Sequence, residues 1–232
     1  MRVLITRPRH SAERTAQTLL RLGHQPLILP LSSPHHLTEA AKAALERSQG
    51  AIAITSAEAV RALSGLDLSH HLDRLVYAVG AATADEVRRA GFRHMRIADG
   101  TGESLARLLT SEGPPDVLYL AGQPRSPDFE RGLTDASQPY STTVCYEMQP
   151  VIWNEAQLRL LDPPPQAVLL YSSEAARRFC NQPLVKRNLR FWQDCHFLCL
   201  SEKVARSLSD AANRRVSIAD QPTEEALLLL LS

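Results

Sequence analysis

Aromatic residues make up only 5% of the chain and the formal net charge is +1, while no apolar run approaches the ~18 to 20 residues of a membrane span. The even charge gives no overall basic excess of the kind that binds nucleic acid, and the short runs leave no membrane-spanning helix. The four cysteines, Cys145, Cys180, Cys195 and Cys199, form no C-x-x-C pair. The start, Met-Arg-Val-Leu-Ile-Thr-Arg-Pro, has neither an h-region nor a cleavage site. Both features predict a cytoplasmic protein with reduced thiols. Catalytic signatures are missing too: there is no G-x-S-x-G, H-E-x-x-H, Walker lysine loop or G-x-G-x-x-G. His35-His36 and His70-His71 are adjacent pairs whose side chains diverge, so no metal site is expected. The stretch Cys195-His-Phe-Leu-Cys199 overlaps Phe197–Leu200, which reads as a buried strand, so core packing rather than metal binding is expected of it.

What is present is a stretch that occurs twice. Ala51-Ile-Ala-Ile-Thr-Ser-Ala-Glu-Ala-Val60 returns as Ala167-Val-Leu-Leu-Tyr-Ser-Ser-Glu-Ala-Ala176. Each copy is an apolar strand, a hydroxyl pair and a helix-forming run. The sequel repeats as well: Tyr77-Ala-Val-Gly80 answers Leu198-Cys-Leu-Ser201, and Ile97-Ala-Asp99 answers Ile218-Ala-Asp220. Gly80 to Asp99 and Ser201 to Asp220 are both 19 residues. This predicts two related βα domains facing each other, with a site between them.

Along the chain, strands are predicted at Arg2–Thr6, Pro26–Leu31, Ala51–Ile54, Leu75–Val79, His94–Ala98, Val117–Leu120, Ser141–Tyr146, Ala167–Tyr171, Phe197–Leu200 and Arg215–Ile218. Helices alternate with them: Ser11–Leu22, Leu37–Arg47, Ala57–Leu63, the helix opened by Thr83-Ala-Asp-Glu86, Glu103–Leu109, Phe129–Leu133, Asn154–Leu161, Ser173–Phe179, Glu202–Ala211 and Thr223–Leu231. Thr55-Ser-Ala-Glu58 and Thr83-Ala-Asp-Glu86 have capping-box spacing. Ser32-Ser33-Pro34 reads as a turn closing the second strand, and Leu227–Leu231 as the buried last turns of a helix. Alternation of this kind means parallel sheets covered on both faces, with ligands at the carboxyl ends of the strands. The second copy of the repeat lacks two strands that Val117–Tyr146 supplies to the first, and Arg2–Thr6 with Pro26–Leu31 can supply them. The first domain is therefore expected to be discontinuous, 1–33 plus 149–232, around an inserted domain, 34–148. Two chain crossings, near Leu31–Leu37 and Tyr146–Pro150, would form a two-strand hinge.

With no catalytic dyad in view, the chemistry rests on hydroxyls at strand–helix junctions: Thr55, Ser56, Thr83, Ser172, Ser173 and Ser201. Each can be a plain N-cap. Helix N-termini also bind carboxylates, so several together could hold a polyanion with few cations. Residues 1–30 carry five arginines against the single acid Glu13, which suits either an acidic ligand or a solvated face. Tyr146, just before the second crossing, could donate to a ligand or simply pack the hinge.

Taken in order, these motifs resemble the uroporphyrinogen-III synthase family. The matching stretches are Val3-Leu-Ile-Thr-Arg-Pro8, Ile54-Thr-Ser-Ala-Glu-Ala-Val60, Tyr77-Ala-Val-Gly-Ala-Ala-Thr-Ala84, Leu118-Tyr-Leu-Ala-Gly122, Val144-Cys-Tyr-Glu147, Leu170-Tyr-Ser-Ser-Glu-Ala175 and Cys199-Leu-Ser-Glu-Lys-Val-Ala205. The resemblance implies an enzyme of two flavodoxin-like α/β domains that uses no cofactor; with no heptad or long exposed apolar stripe, a monomer is the default. Its substrate would be hydroxymethylbilane, a linear tetrapyrrole with eight carboxylates, received in transient contact with the deaminase that makes it. The hydroxyl leaves as water, ring D attacks through its substituted carbon, and a spiro intermediate recloses with ring D inverted. Tyr146 matches the tyrosine that assists hydroxyl loss; Ser56, Thr83 and Ser172 match cleft hydroxyls, and Arg7 lies in the opening motif. The chain departs from the family at Ser201-Glu-Lys-Val204, where many members have Gly-Pro and a Thr. Here the Thr position is Val204, so a hydroxyl donor is missing; Ser201 is counted with the substrate-binding hydroxyls, and Glu202 would repel a polyanion unless it points away. Two other readings are a hinged sensor of a small anion and a synthase-like domain that serves as a partner surface.

Overall fold

Val3, Leu4 and Ile5 are fully buried because both faces of their strand are covered. Leu4 packs with Leu27, Val168 and Phe197, whereas Val3 and Ile5 pack with Leu19, Leu169 and Leu227. The computed structural model describes residues 1–187, 189–208 and 215–231. It forms two units, Met1–Ser33 with Gln149–Ser232, and Pro34–Met148.

The chain opens with β1 (Arg2–Ile5), α1 (Arg9–Arg21) and β2 (Gln25–Ile28). Helix α1 buries Ala12, Thr15, Ala16 and Leu19 and stops before Gly23, whose φ of +78° a side chain would strain. Next come β3 (Ser32–His36), α2 (Thr38–Arg47), β4 (Ala51–Ile54), α3 (Ala57–Arg61), β5 (Leu75–Ala78) and α4 (Ala81–Arg89). Then follow β6 (His94–Ile97), α5 (Gly102–Glu112), β7 (Val117–Gln123), α6 (Asp128–Asp135) and β8 (Ser141–Pro150). The last part holds α7 (Glu155–Arg159), β9 (Ala167–Leu170), α8 (Ser173–Cys180), α9 (Pro183–Arg187), a 3-10 turn (Leu189–Trp192), β10 (His196–Cys199), α10 (Glu202–Ala205), β11 (Arg215–Ile218) and α11 (Glu224–Leu229).

The first unit has a five-stranded sheet in the order β11-β10-β9-β1-β2, with parallel pairs throughout. Renumbered within the unit this is 2-1-3-4-5, the doubly wound order of flavodoxin-like sheets. The second unit has the order β3-β8-β7-β4-β5-β6. Its β8-β7-β4-β5-β6 portion is parallel and has the same spatial order, with β7 and β8 in the places of β1 and β2. The two units thus share one topology entered at different points of the chain.

Several local expectations change. Ser32-Ser33-Pro34 is not a turn but most of β3, next to β8. The bonds Leu37 N–H to Cys145 O (2.8 Å) and Val151 N–H to Leu31 O (3.0 Å) give an antiparallel register along this pair. Pro34 is tolerated because β3 lies at the sheet edge, where one donor row is free. The chain passes between the units within β3 and again within β8. Thr83 does not open α4: Gly80 occupies the cap position and Thr83 lies buried in the first turn. Likewise Ser56, not Thr55, caps α3. Of the helix expected at Glu202–Ala211, the structure gives Glu202–Ala205, and residues 209–211 lie outside the described residues. Leu227, Leu228 and Leu231 are buried, but Leu229 is exposed. Cys195 and Cys199 are core residues, as the strand reading required.

Candidate active site

In the second unit the carboxyl ends of β8, β7, β4 and β5 lie side by side; Tyr146, Gly122 and Ser56 meet there, while Thr83 stands in the first turn of the helix that follows β5. Consecutive strand residues ordinarily face opposite ways, yet Cys145 and Tyr146 enter the same core cluster, beside Ile54, Ala59 and Leu120. The reason is a bulge. Ala121 is opposite Val144, but Gly122 is opposite Tyr146, so Cys145 is the extra residue. The Cys145 thiol donates to Ala121 O at 3.3 Å, which anchors the irregularity. Burial pushes this thiol up to about 12.

Tyr146 is 8% exposed. Burial pushes its phenol above the ordinary value of 10.0, and hydrogen bonding with the Ser56 side chain pulls the other way. The Ser56 hydroxyl also accepts from Glu58 N–H at 3.2 Å, so it caps α3 while it faces Tyr146. The Glu58 carboxylate is held by His36 Nε2 at 3.2 Å and by Arg61 Nη1 at 2.5 Å. Arg61 also reaches Glu86 at 2.6 Å. Thr55 faces elsewhere: its hydroxyl pairs with that of Tyr119 at 2.8 Å. Thr83, 4% exposed, is held by its backbone N–H to Gly80 O at 3.1 Å. Gly80 itself lies under the β6 end, where an added Cβ would come within 3.3 Å of Gly100 Cα.

In the first unit the same edge carries Arg7 after β1, Ser172 after β9 and Ser201 after β10. Ser172 caps α8 by accepting from Ala175 N–H at 3.1 Å, and it is exposed. Ser201 is in the cap position of α10 but its hydroxyl makes no cap bond, which leaves it for another partner. Ser173 is used structurally, donating to Lys203 O at 3.1 Å. Glu202 is paired with Arg206 at 2.5 Å, and Val204 is buried in the core. The apolar residue in this stretch therefore packs inward. Arg7 is not a bare cation: its Nη1 meets Glu224 at 3.1 Å and its guanidinium lies 4.2 Å from the Tyr171 ring centroid. Tyr171 and Thr15 also donate to Glu224. Burial, then the nearby Glu224 charge, push the Tyr171 phenol well up.

Two residues were given no role in the sequence reading. Glu224, 217 residues from Arg7, gives no local sign of that pairing. Gly122 does give a sign, being a glycine directly after the apolar run Val117-Leu-Tyr-Leu-Ala121, inside β7. Among the described residues, no group of three or more His, Cys, Asp or Glu is placed to hold a metal ion, and no helix is long and apolar enough to cross a membrane.

Among known proteins, the family model described as Uroporphyrinogen-III synthase HemD matches residues 13–228. No curated protein matches. A uroporphyrinogen-III synthetase from Helicobacter pylori is 17% identical with a TM-score of 0.63, covering 100% of this chain and 98% of that one. A mutant uroporphyrinogen III synthase from the extremely thermophilic bacterium Thermus thermophilus is 18% identical with a TM-score of 0.54, covering 100% and 96%. At these identities the two structures establish the shared fold.

Proposed function

The chain belongs to the uroporphyrinogen-III synthase family, and from that premise we propose that Tyr146 assists loss of the substrate hydroxyl while the carboxyl edges of both sheets hold its carboxylates. The family's enzymes are cyclising lyases of tetrapyrrole biosynthesis that convert hydroxymethylbilane to uroporphyrinogen III. The carbon–oxygen bond of the hydroxymethyl group breaks and the oxygen leaves as water, so a proton must reach it. The resulting azafulvene is attacked by ring D through its substituted carbon, which forms a carbon–carbon bond and a spiro intermediate. That intermediate opens and recloses with ring D inverted, and a ring proton is lost. Atoms balance as bilane to macrocycle plus water, with no net oxidation.

The supporting observation is the buried phenol of Tyr146 at a carboxyl edge, its ring tip lying against Gly122. A phenol pushed up by burial stays protonated at neutral pH and can donate to a departing hydroxyl. It is a weak acid, so most of the barrier reduction must come from folding the bilane into one geometry. Ser56, Ser172 and Ser201 would bind carboxylates together with the N–H groups of the helices they precede, and Thr83 would do so from the first turn of α4. Arg7 contributes less than a free cation, because a substrate carboxylate must compete with Glu224.

The paired crossings within β3 and β8 would act as the hinge between a discontinuous domain, 1–33 plus 149–232, and its insert. Four free cysteines, all buried, suit a reducing cytoplasm. The protein would act as a monomer, with only transient contact with the deaminase. The test is Tyr146→Phe in a coupled assay that supplies bilane. A loss of kcat of about 100-fold with product still forming is expected. An unchanged rate would remove Tyr146 from the mechanism, and complete loss in a folded variant would give its hydroxyl an indispensable proton transfer.

A further inference from the structure

We propose that Gly122 is a positioning residue of the reaction: the space left by its missing side chain holds the hydroxyl-bearing end of the Tyr146 ring. The inference rests on the role given to Tyr146 above. Gly122 is opposite Tyr146 after the register shift between β7 and β8. A Cβ built on Gly122 would overlap Cζ, Oη and Cε1 of Tyr146. These are the outer atoms of the ring, so the conflict lies at the phenol tip rather than at its root.

Strand β7 cannot easily yield. Val117–Gly122 is buried, and β7 is paired on one side with β4 and on the other with β8. The root of Tyr146 is also held, because the preceding bulge is anchored by the Cys145 thiol on Ala121 O. A methyl at 122 is therefore accommodated chiefly by swinging the Tyr146 ring. The hydroxyl is the atom farthest from the pivot and moves most. Other tightly packed glycines lack this property: Gly50 lies against the Asp116 backbone, Gly102 against Phe129 and Gly132 against the Ala106 methyl. A glycine within a strand interior ordinarily weakens it, and here the gap is occupied by the acid itself.

The test compares kcat and KM for wild type, Gly122→Ala, Tyr146→Phe and the double variant, each checked for folding by circular dichroism. Gly122→Ala is expected to lower kcat about 10-fold or more, with KM nearly unchanged. In the Tyr146→Phe background the same methyl should change kcat by less than about twofold, because the hydroxyl it displaces is already gone. A folded Gly122→Ala with wild-type kcat, beside an impaired Tyr146→Phe, overturns the inference. So does an equal loss in both backgrounds. A Tyr146→Phe variant with wild-type kcat instead removes the Tyr146 role itself. If Gly122→Ala does not fold, Gly122→Ala/Tyr146→Ala should fold and melt with Tyr146→Ala. Continued unfolding would mean that the methyl meets something other than the ring, and the inference would fall.

Discussion

Ser56 and Ser172 stand at equivalent junctions, and both hydroxyls accept a helix N–H bond. Ser56→Ala should therefore cost about 1 kcal/mol of stability as a lost cap and lower kcat/KM by less than Tyr146→Phe does. Thermal melting and coupled kinetics read the two effects separately; abolished turnover from Ser56→Ala would contradict a site whose work is spread over several groups. Thr83 is buried and caps nothing, so its hydroxyl carries no such structural duty. Thr83→Val should leave melting nearly unchanged and raise KM, and unchanged kinetics would take Thr83 out of the site. The alkaline limb of kcat should lie above pH 10, the ordinary tyrosine value, because the raised Tyr146 phenol keeps its proton there. A tyrosine-like limb below pH 10 that disappears in Tyr146→Phe would contradict this. The hydroxyls were readable from sequence because a strand followed by Ser or Thr and a helical run signals a junction. The engagement of Arg7 with Glu224 was not, since the two are brought together by packing of α1 and α11 beside β1.

Strand β8 shows where element-level reading stops. Alternation of apolar residues located Ser141–Tyr146 but not the extension to Pro150, because Glu147, Gln149 and Pro150 are exposed. Nor did it locate β3, whose Ser, Pro and His residues have turn chemistry and form a strand only through pairing with β8. The bulge at Cys145 is invisible for a related reason: it is defined by register against β7, which no single segment contains. By contrast, β4–α3 and β9–α8 were legible because each junction is encoded locally, by an apolar run, a capping hydroxyl and a helix former. Ser172→Ala tests that local encoding. It should lower Tm by about 2–4 °C, the shift that a 1 kcal/mol cap produces in a protein of this size. No change in Tm would mean that α8 is fixed by packing of Ala176 and Phe179 alone.

At the scale of the whole molecule, the two sheets repeat one strand order that the chain enters at different points. That order places every junction hydroxyl at a carboxyl edge, the position where parallel sheets present free helix N–H groups. Stability should vary with pH in a way set by both units. Burial pushes the Cys145 and Cys199 thiols up to about 12 from 9.0, and burial with a hydrogen bond to Glu112 pushes Tyr77 up to about 12 from 10.0. These groups bind protons more tightly when folded, so their contribution is complete below about pH 9 and is lost as pH rises toward 12. His71 and His196 are shifted the other way, below 6.5, chiefly by burial. Their contribution is present above 6.5 and is lost as pH falls through their lowered values. Melting temperature should therefore be highest between about pH 7 and 9 and fall on both sides, and a steady rise through pH 10 would contradict that burial. The most direct test of the function is the isomer ratio of the porphyrin formed after coupled turnover of hydroxymethylbilane, resolved by chromatography. Predominantly isomer III is expected, with ring D inverted. Isomer I alone, from protein shown to be folded, would mean that this chain keeps the fold without performing the inversion.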